Sequence, residues 1–193
     1  MTPLCELSRQ HGCDKGGEYH PYGDLNRWSH CYTPVYNALL QPLRNKPIHL
    51  LEIGVSEGRS LNMWHEFFPL GHIVGWDIRD DRWTEVVKHP LVCVQKVDQG
   101  NFLQMYNAWV ELGRPEFDVI IDDGSHQIED QRASLSRLLP KLNGTGIYVI
   151  EDLSESIEPS LPDGYSYENL QWPLDKRQKD PAMADMLQVI RRA

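Results

Sequence analysis

The stretch "LLEIGVSEGRSLNMW" (residues 50–64) decides the fold, because a strand, a turn and a helix start follow one another within it. It overlaps a near-continuous apolar run, residues 48–55, which is typical of a strand buried on both faces of a parallel sheet. Gly54 and Gly58 then allow a tight turn, and residues 58–68 show apolar side chains at helical spacing. This order predicts the first unit of a parallel α/β sheet.

The same alternation continues along the chain and predicts a mostly parallel sheet with right-handed crossovers. Further strands are predicted at 72–78, 91–97, 117–122 and 146–152, and helices at 79–90, 101–113 and 128–142. In such a sheet, ligands bind outside the carboxyl ends of the strands, at the point where the strand order reverses. We call this edge the rim and expect the functional site there.

The remaining segments flank this core. We interpret residues 1–47 as an N-terminal flap or lid, with a loop at 14–24 and a short helix within 31–44. Residues 48–152 form the predicted core. Residues 153–193 are interpreted as an extended, proline-punctuated loop followed by a closing helix at 182–193.

Charge and hydropathy exclude two classes of partner. The 193 residues carry 19 Lys and Arg against 28 Asp and Glu, a formal net charge of -9, so a phosphate backbone would be repelled. No apolar run approaches the roughly 20 residues that span a bilayer. The start, "MTPLCELSRQHG", also lacks the basic and apolar regions of a signal peptide. We therefore expect a cytoplasmic protein that contacts neither nucleic acid nor membrane.

The cysteines raise a zinc hypothesis, which the sequence does not favour. Cys5, Cys13 and Cys31 lie near His11, His20 and His30, and thiolates and imidazoles are zinc's preferred ligands; the fourth cysteine is Cys93. Their spacing is irregular, there is no CxxC pair, and cytosolic chains often keep cysteine as a small apolar residue. A disulfide is less expected still.

Seven carboxylates end the predicted strands and should gather at the rim. They are Glu52, Asp77, Asp98, Asp122, Asp123, Glu151 and Asp152. So much like charge at one edge would raise pKa values unless cations or hydrogen-bond donors neutralise it. We therefore expect a positively charged partner at the rim.

The first half of the rim resembles a nucleotide site. Gly54 and Gly58 let the backbone approach a ligand at a helix N-terminus, although the GxGxxG fingerprint of nicotinamide cofactors is absent. Asp77, 23 residues after Gly54, is placed to accept hydrogen bonds from a ribose diol, or to cap the next segment. Asp98 and Gln99 end the third strand where they could contact an adenine edge.

The second half of the rim predicts a cation and a base. Asp123 should converge with Glu151 and Asp152 from neighbouring strand ends, and three carboxylates suit Mg²⁺. The alternative is that Asp123 or Ser125 caps the following helix and that Glu151 and Asp152 are solvated at the end of their strand. His126, three residues beyond Asp123, is placed as a general base, with its pKa lowered by the helix that follows.

Taken together, these motifs resemble SAM-dependent class I O-methyltransferases of the macrocin and mycinamicin type, which methylate deoxysugar hydroxyls on macrolides and related glycosylated compounds. Cephalosporin-hydroxylase-like proteins carry similar motifs. The resemblance spans about residues 14–152 and rests on "DKGGEYHPYGD", "LLEIGVSEGRSLNMW", "GWDI", "VDQGNF", "FDVIIDDGSH" and "GIYVIED".

The resemblance implies a Rossmann-like, doubly wound α/β fold, S-adenosyl-L-methionine (SAM) as co-substrate, Mg²⁺ and a small-molecule acceptor, expected to be a glycoside. It implies His126 as the general base and Asp123, Glu151 and Asp152 as magnesium ligands. The residues assigned to cofactor binding are Glu52, Gly54, Gly58, Ser60, Asp77, Asp98, Gln99 and Asp122. Asp122 either faces SAM or supports the turn.

The chain departs from the family pattern at its C-terminal end. Members usually add a final antiparallel strand pair, which the predicted closing helix leaves no room for. Without that pair, the fifth strand would have an exposed edge that invites covering or dimerisation, so a homo-oligomer is expected. Alternatives that stay open are a phenol, catechol or carboxylate acceptor and a non-catalytic binding or assembly domain.

Overall fold

A computed structural model describes residues 2–16, 30–153, 161–171 and 186–192 of the chain, and seven strands form one sheet within them. The strands are β1 (His49–Ile53), β2 (His72–Asp77), β3 (Val92–Lys96), β4 (Phe117–Asp122), β5 (Leu142–Ile150), β6 (Tyr165–Gln171) and β7 (Met186–Arg192). The helices of the described residues are α1 (Pro3–His11), α2 (Thr33–Leu40), α3 (Arg59–Phe67), α4 (Phe102–Glu111) and α5 (Ile128–Leu138). Two 3₁₀ turns, Gln41–Leu43 and Leu139–Lys141, extend α2 and α5.

The strand order is β3-β2-β1-β4-β5-β7-β6, and the first five strands are parallel. The Rossmann-like, doubly wound sheet predicted from the sequence is therefore confirmed. The order reverses between β1 and β4, where Ile53 pairs with Asp122. By the general rule for open α/β sheets, this switch point locates the ligand cleft.

Helices cover both faces of the sheet, which explains why the strands are apolar on both sides. One core contains Leu4 of α1, Tyr36 of α2 and Trp64 of α3, all fully buried against the strands. The other contains Met105 of α4 and Leu135 of α5. None of the helices within the described ranges is long and apolar enough to cross a membrane.

The predicted closing helix is wrong, and so is the predicted absence of an antiparallel pair. The loop predicted before that helix is also wrong at Tyr165–Gln171, which form β6. Residues 186–192 form β7, which pairs antiparallel with β5 and with β6. The segment is buried on both faces, with Leu187 and Val189 in one core and Ile190 in the other. A short apolar run of this kind fits a buried helix or a buried strand equally well. Because β7 covers the edge of β5, that edge is not free to pair with a second copy of the chain.

The predicted helix at 79–90 is also wrong, because those residues form turns and bends. Contacts with the start of α3 hold this loop instead. The Asn62 amide donates to the Glu85 carbonyl oxygen at 2.7 Å and accepts from the Val87 N–H at 2.9 Å. These tertiary hydrogen bonds occupy backbone groups that a helix would need.

The N-terminal segment packs on the core through two helices. Gly12, at φ +68°, ends α1 in a left-handed cap, and the Arg59 guanidinium of α3 donates to its carbonyl oxygen at 3.3 Å. The short helix predicted within 31–44 is confirmed as α2. The predicted loop at 14–24 lies mostly outside the described residues, and the division at residues 47 and 152 stays a prediction.

Candidate active site

A cleft of about 320 Å³ opens at the rim, beside the switch point. Its lining residues are Asp14, His30, Gly54, Ser56, Asp77, Arg79, Arg82, Asp123, Gly124, His126, Glu151 and Asp152. Six of them were predicted as site residues: Gly54, Asp77, Asp123, His126, Glu151 and Asp152. A wider hollow of about 520 Å³ runs from Trp83 to Val94, but its walls are largely apolar and lack these carboxylates.

Gly54 is required by the close approach of two strand ends. Its φ is +90°, and a Cβ at this position would lie 1.9 Å from the Asp123 carbonyl oxygen. Since no other residue fits there, the glycine brings the first turn into contact with the end of β4. The backbone N–H of Asp123 also donates to the carbonyl oxygen of Ile53 at 2.9 Å.

Asp77 organises the glycine turn from the end of β2. Its Oδ2 accepts from the N–H groups of Val55 and Ser56 at 2.8 and 2.9 Å, and its Oδ1 accepts from the Arg79 N–H at 2.8 Å. The carboxylate lines the cleft. It therefore combines a local structural role with the position predicted for ribose binding.

Glu52 and Ser60 lie beneath the cleft rather than in its wall. Glu52 is fully buried, and Ser60 Oγ donates to Glu52 Oε2 at 2.7 Å. Burial raises the pKa of Glu52 to about 7, against the opposing effect of a nearby ammonium group. Gly58 also lies outside the lining and is needed at φ +94°, where a Cβ would be 2.2 Å from Val86 Cγ2.

Asp122 and Gln99 form a buried network behind the rim. Gln99 Nε2 donates to Asp122 Oδ1 at 3.1 Å and to Ser134 Oγ at 3.0 Å, while Gln99 Oε1 accepts from the Ser125 N–H at 2.7 Å. Burial raises the pKa of Asp122 to about 6. Asp122 therefore supports the turn. The Gln99 amide, with both its oxygen and its nitrogen engaged, has little capacity left for hydrogen bonds to an adenine edge.

Asp98 also lies outside the lining of the cleft. Its Oδ1 accepts from the N–H of Gly100 at 2.9 Å, which closes a local turn after β3. A carboxylate engaged in such a turn keeps a second oxygen that can accept a further hydrogen bond. Its predicted contact with adenine stays a prediction.

Lys15, which was not among the predicted site residues, supplies a positive charge at the rim. The residue is 1% exposed, and its Nζ donates to Asp123 and, at 2.8 Å, to Glu151 Oε2; Glu52 Oε1 lies 3.6 Å away. Burial alone would lower the pKa of Lys15, but the three carboxylates raise it well above its usual value. The ammonium therefore balances part of the predicted charge from within the protein.

Asp123, His126 and Asp152 converge on one point of the cleft. One ligand atom from each lies within 4.8 Å of the others, and this is the only such His, Cys, Asp or Glu group in the described part of the chain. It contains two of the three predicted magnesium ligands. The third, Glu151, is held beside it by Lys15 and by the hydroxyl of Tyr36. Carboxylate oxygens at this spacing fit a hard divalent cation.

The expectation that a helix lowers the pKa of His126 is wrong in direction. His126 precedes α5, and the pKa of its imidazole is raised, chiefly by the hydrogen bond between its Nε2 and Asp123 Oδ1 at 3.1 Å. Asp152 and Glu151 add to the effect, which burial only partly opposes. Asp123 has the opposite shift, because Lys15 and His126 overcome the effect of burial and hold its pKa at about 2.

Backbone strain is concentrated at the cleft. Ser56, His126 and Asp152 have φ values of +50°, +56° and +54°, a left-handed conformation that residues other than glycine rarely adopt. Each such residue costs about 1–3 kcal/mol and persists where the surroundings enforce it. Strain at three lining positions is typical of a functional site.

The zinc hypothesis gains no support from the described residues. Cys5 is buried between the hydroxyls of Thr2 and Thr33, and Cys93 lies on β3, remote in sequence from the N-terminal cysteines. No cysteine belongs to a group of three potential ligands among the described residues. His20 lies outside them.

The strand order, the glycine turn after β1 and the acidic residue ending β2 together define a class I, SAM-binding methyltransferase fold. The chain belongs to the family described as "Methyltransferase domain", whose profile matches residues 51–153, more than half of its length.

Similar proteins include several sugar O-methyltransferases. The chain is 34% identical over 84% of its length to 8-demethyl-8-alpha-L-rhamnosyl tetracenomycin-C 2'-O-methyltransferase of Streptomyces olivaceus, and covers 40% of that protein. It is 35% identical over 82% of its length to mycinamicin VI 2''-O-methyltransferase of Micromonospora griseorubida, and covers 38% of it. The chain thus spans about two fifths of the length of these relatives.

Among solved structures, the chain resembles the methyltransferase MycE in complex with Mg, SAH and mycinamycin VI. The TM-score is 0.63 and the identity 34%, over 78% of this chain and 39% of MycE. An O-methyltransferase from Bacillus cereus in complex with SAH has a TM-score of 0.57 over 98% of this chain and 90% of that one. At 14% identity, that second likeness shows the fold alone.

Proposed function

We propose that the chain catalyses SAM-dependent, Mg²⁺-assisted O-methyl transfer to a hydroxyl group of a sugar or glycosylated small molecule. The observation that carries the proposal is the cluster of Asp123, His126 and Asp152 within 4.8 Å in the cleft that the glycine turn lines. A base and a cation site beside a SAM-binding turn are what transfer to a poorly acidic hydroxyl requires. The relatives named above are O-methyltransferases, and one of them acts on a rhamnosyl tetracenomycin.

The proposed cofactor roles follow the cleft. The glycine turn at Gly54 would hold the methionine end of SAM, and Asp77 would accept hydrogen bonds from its ribose. Glu52, Ser60 and Gly58 support this turn from below or behind. Magnesium, when bound, supplies positive charge that lowers the pKa of the acceptor hydroxyl.

His126 is the proposed general base. Its imidazole is 42% exposed, so an acceptor can reach it, and Asp123 fixes the ring through the 3.1 Å contact with Nε2. The carboxylates that raise its pKa make the neutral imidazole a stronger base. Asp123 and Asp152 would hold the cation, with Glu151 as the third proposed ligand.

The proposed setting is cytoplasmic, with a small-molecule acceptor and no nucleic acid. Cys5 and Cys93 are free thiols, as expected in a reducing compartment. The formal net charge of -9 disfavours a phosphate backbone. Homo-oligomerisation stays a prediction.

The decisive experiment is a methyl-transfer screen with SAM against glycosides, phenols and catechols, with and without a chelator. We expect transfer to a glycoside that the chelator abolishes. Asp123→Asn should lower kcat by at least about 100-fold, in line with removal of a metal ligand or base partner, and leave SAH affinity unchanged. Asp80→Asn, on an exposed carboxylate paired with Lys96, is the matched control and should keep full activity.

Three results would count against the proposal. Absence of SAM and SAH binding in the presence of Mg²⁺ would exclude methyl transfer and favour a binding or assembly domain. Transfer to phenols or catechols alone would exclude the sugar acceptor. Unchanged turnover in Asp123→Asn would exclude the cation mechanism.

A further inference from the structure

The two oxygens of the Asp152 carboxylate face different partners. Its Oδ1 accepts from the Tyr32 hydroxyl at 2.6 Å and lies 3.4 Å from His30 Nδ1. Its Oδ2 lies on the side of the cluster, 3.7 Å from His126 Nε2. One oxygen is thus held by the N-terminal segment while the other faces the proposed cation position.

Asp123 shows the same division. Its Oδ2 accepts from Lys15 Nζ, and its Oδ1 lies 3.1 Å from His126 Nε2. Lys15 and Tyr32 both precede the first strand of the core. The two carboxylates that face each other across the cluster are therefore each anchored by a buried side chain from the same N-terminal segment.

Tyr32 is buried, and the backbone of Asp152 that it anchors is strained. Tyr32 is 2% exposed and stacks on His30 with ring centroids 5.3 Å apart. Asp152 has a φ of +54°, so its carboxylate direction depends on contacts that hold an unfavourable backbone conformation. The Tyr32 hydroxyl is the shortest such contact to the Asp152 side chain among the described residues.

We propose that Tyr32 is a positioning residue of the cation site: its hydroxyl holds Oδ1 of Asp152 and so directs Oδ2 at the cation, as Lys15 does for Asp123. This inference rests on the proposed function, because it assumes a divalent cation at the cluster. Hydrogen bonds from outside the ligand set fix carboxylate direction, and their loss typically weakens metal binding about 10–100-fold.

Tyr32→Phe tests this role, since it removes one hydroxyl and keeps the buried ring. Titration with MnCl₂ by calorimetry, in the presence of SAH, should show a dissociation constant raised by about 10-fold or more, with SAH affinity unchanged. Turnover should recover towards the wild-type kcat as the Mg²⁺ concentration is raised. A purely structural defect would not be corrected by added metal.

Tyr148→Phe is the matched control. Tyr148 is also fully buried, and its hydroxyl lies 3.4 Å from Asp122 Oδ2, away from the cluster. We expect wild-type Mn²⁺ affinity in this variant. Equal weakening in both variants, or wild-type affinity in Tyr32→Phe, would overturn the positioning role while leaving the proposed methyl transfer intact.

A different result distinguishes failure of the proposed function from failure of the positioning role alone. If wild-type protein binds SAH but takes up no Mn²⁺, the cation mechanism is wrong and the positioning role is overturned with it. If wild-type protein binds Mn²⁺ normally and only Tyr32→Phe loses affinity, the inference stands whichever acceptor the screen identifies.

Discussion

Asp122 and Asp123 are adjacent in sequence, yet their environments give them opposite chemistry. Asp122 is fully buried and its pKa is raised to about 6, whereas Lys15 and His126 hold that of Asp123 at about 2. Strand alternation separates them, since successive side chains leave the strand in opposite directions. Of the two, only Asp123 lines the cleft.

The raised pKa of Asp122 predicts a pH-dependent cost to stability. A carboxyl whose folded pKa is about 6, above its usual 3.8, favours the fold when protonated; this contribution is lost as the pH rises from about 4 to about 6. The shift of roughly two pKa units corresponds to about 3 kcal/mol. Relative to wild type, Asp122→Asn should therefore gain up to about 3 kcal/mol of unfolding free energy between pH 4 and pH 8.

Urea unfolding of both proteins at the two pH values measures this difference. Asp80→Asn serves as the control, because Asp80 is exposed and paired with Lys96. A difference between Asp122→Asn and wild type that is the same at pH 4 and pH 8 would contradict the prediction.

Sequence reasoning placed the rim acids but not the residues that anchor them. Asp77 ends a strand, and Asp123, Glu151 and Asp152 come just after strands, so the rule for parallel sheets locates them. Lys15 follows no strand, and a lysine before two glycines carries no local signal of burial. The clustered carboxylates indicated only that some positive charge lies near them, and did not identify Lys15 as its source.

Strand β7 completes the sheet at the scale of elements, and its burial can be measured. Leu187 is 2% exposed within β7, whereas Leu70, in the turn before β2, is 54% exposed. Leu187→Ala should lower the unfolding free energy by about 2–5 kcal/mol, because it leaves a cavity in a packed core. Leu70→Ala, the same substitution on the surface, should change it by no more than about 0.5 kcal/mol.

Chemical denaturation of the two leucine variants provides the comparison. Equal, small effects would mean that residues 186–192 do not pack between β5 and β6 as described. Circular dichroism of the folded proteins should be unchanged in both cases, since neither substitution alters the backbone.

The elements that could be predicted from sequence are those with a long, unambiguous pattern. The five parallel strands were found because apolar runs alternate with helical stretches. β7 was mistaken for a helix because seven apolar-rich residues do not fix a period. The loop at 79–90 was mistaken because contacts with Asn62 override its local helical preference.

At the scale of the whole molecule, ligands that bind only the folded state should raise its melting temperature. At about 100 times its dissociation constant, a ligand adds about 2.7 kcal/mol, or roughly 5–10 °C for a domain of this size. We expect SAH to raise the melting temperature and Mg²⁺ to raise it further. Asp123→Asn should keep the increment from SAH and lose that from Mg²⁺.

Differential scanning calorimetry at fixed protein concentration would measure both increments. An equal Mg²⁺ increment in wild-type protein and Asp123→Asn would place the cation elsewhere. An increment from Mg²⁺ but none from SAH would argue against the glycine turn as a cofactor site.

The anchoring of the rim by the N-terminal segment has a consequence for how the protein folds. Lys15 meets Glu151 across 136 positions of sequence, and Tyr32 meets Asp152 across 120. Contacts so distant in sequence form only after the intervening chain is ordered, because the entropy of loop closure is lost before the contact can offset it. We therefore expect the hydrophobic core to consolidate first and competence for ligands to appear later, so that a nascent or half-folded chain lacks the proposed activity.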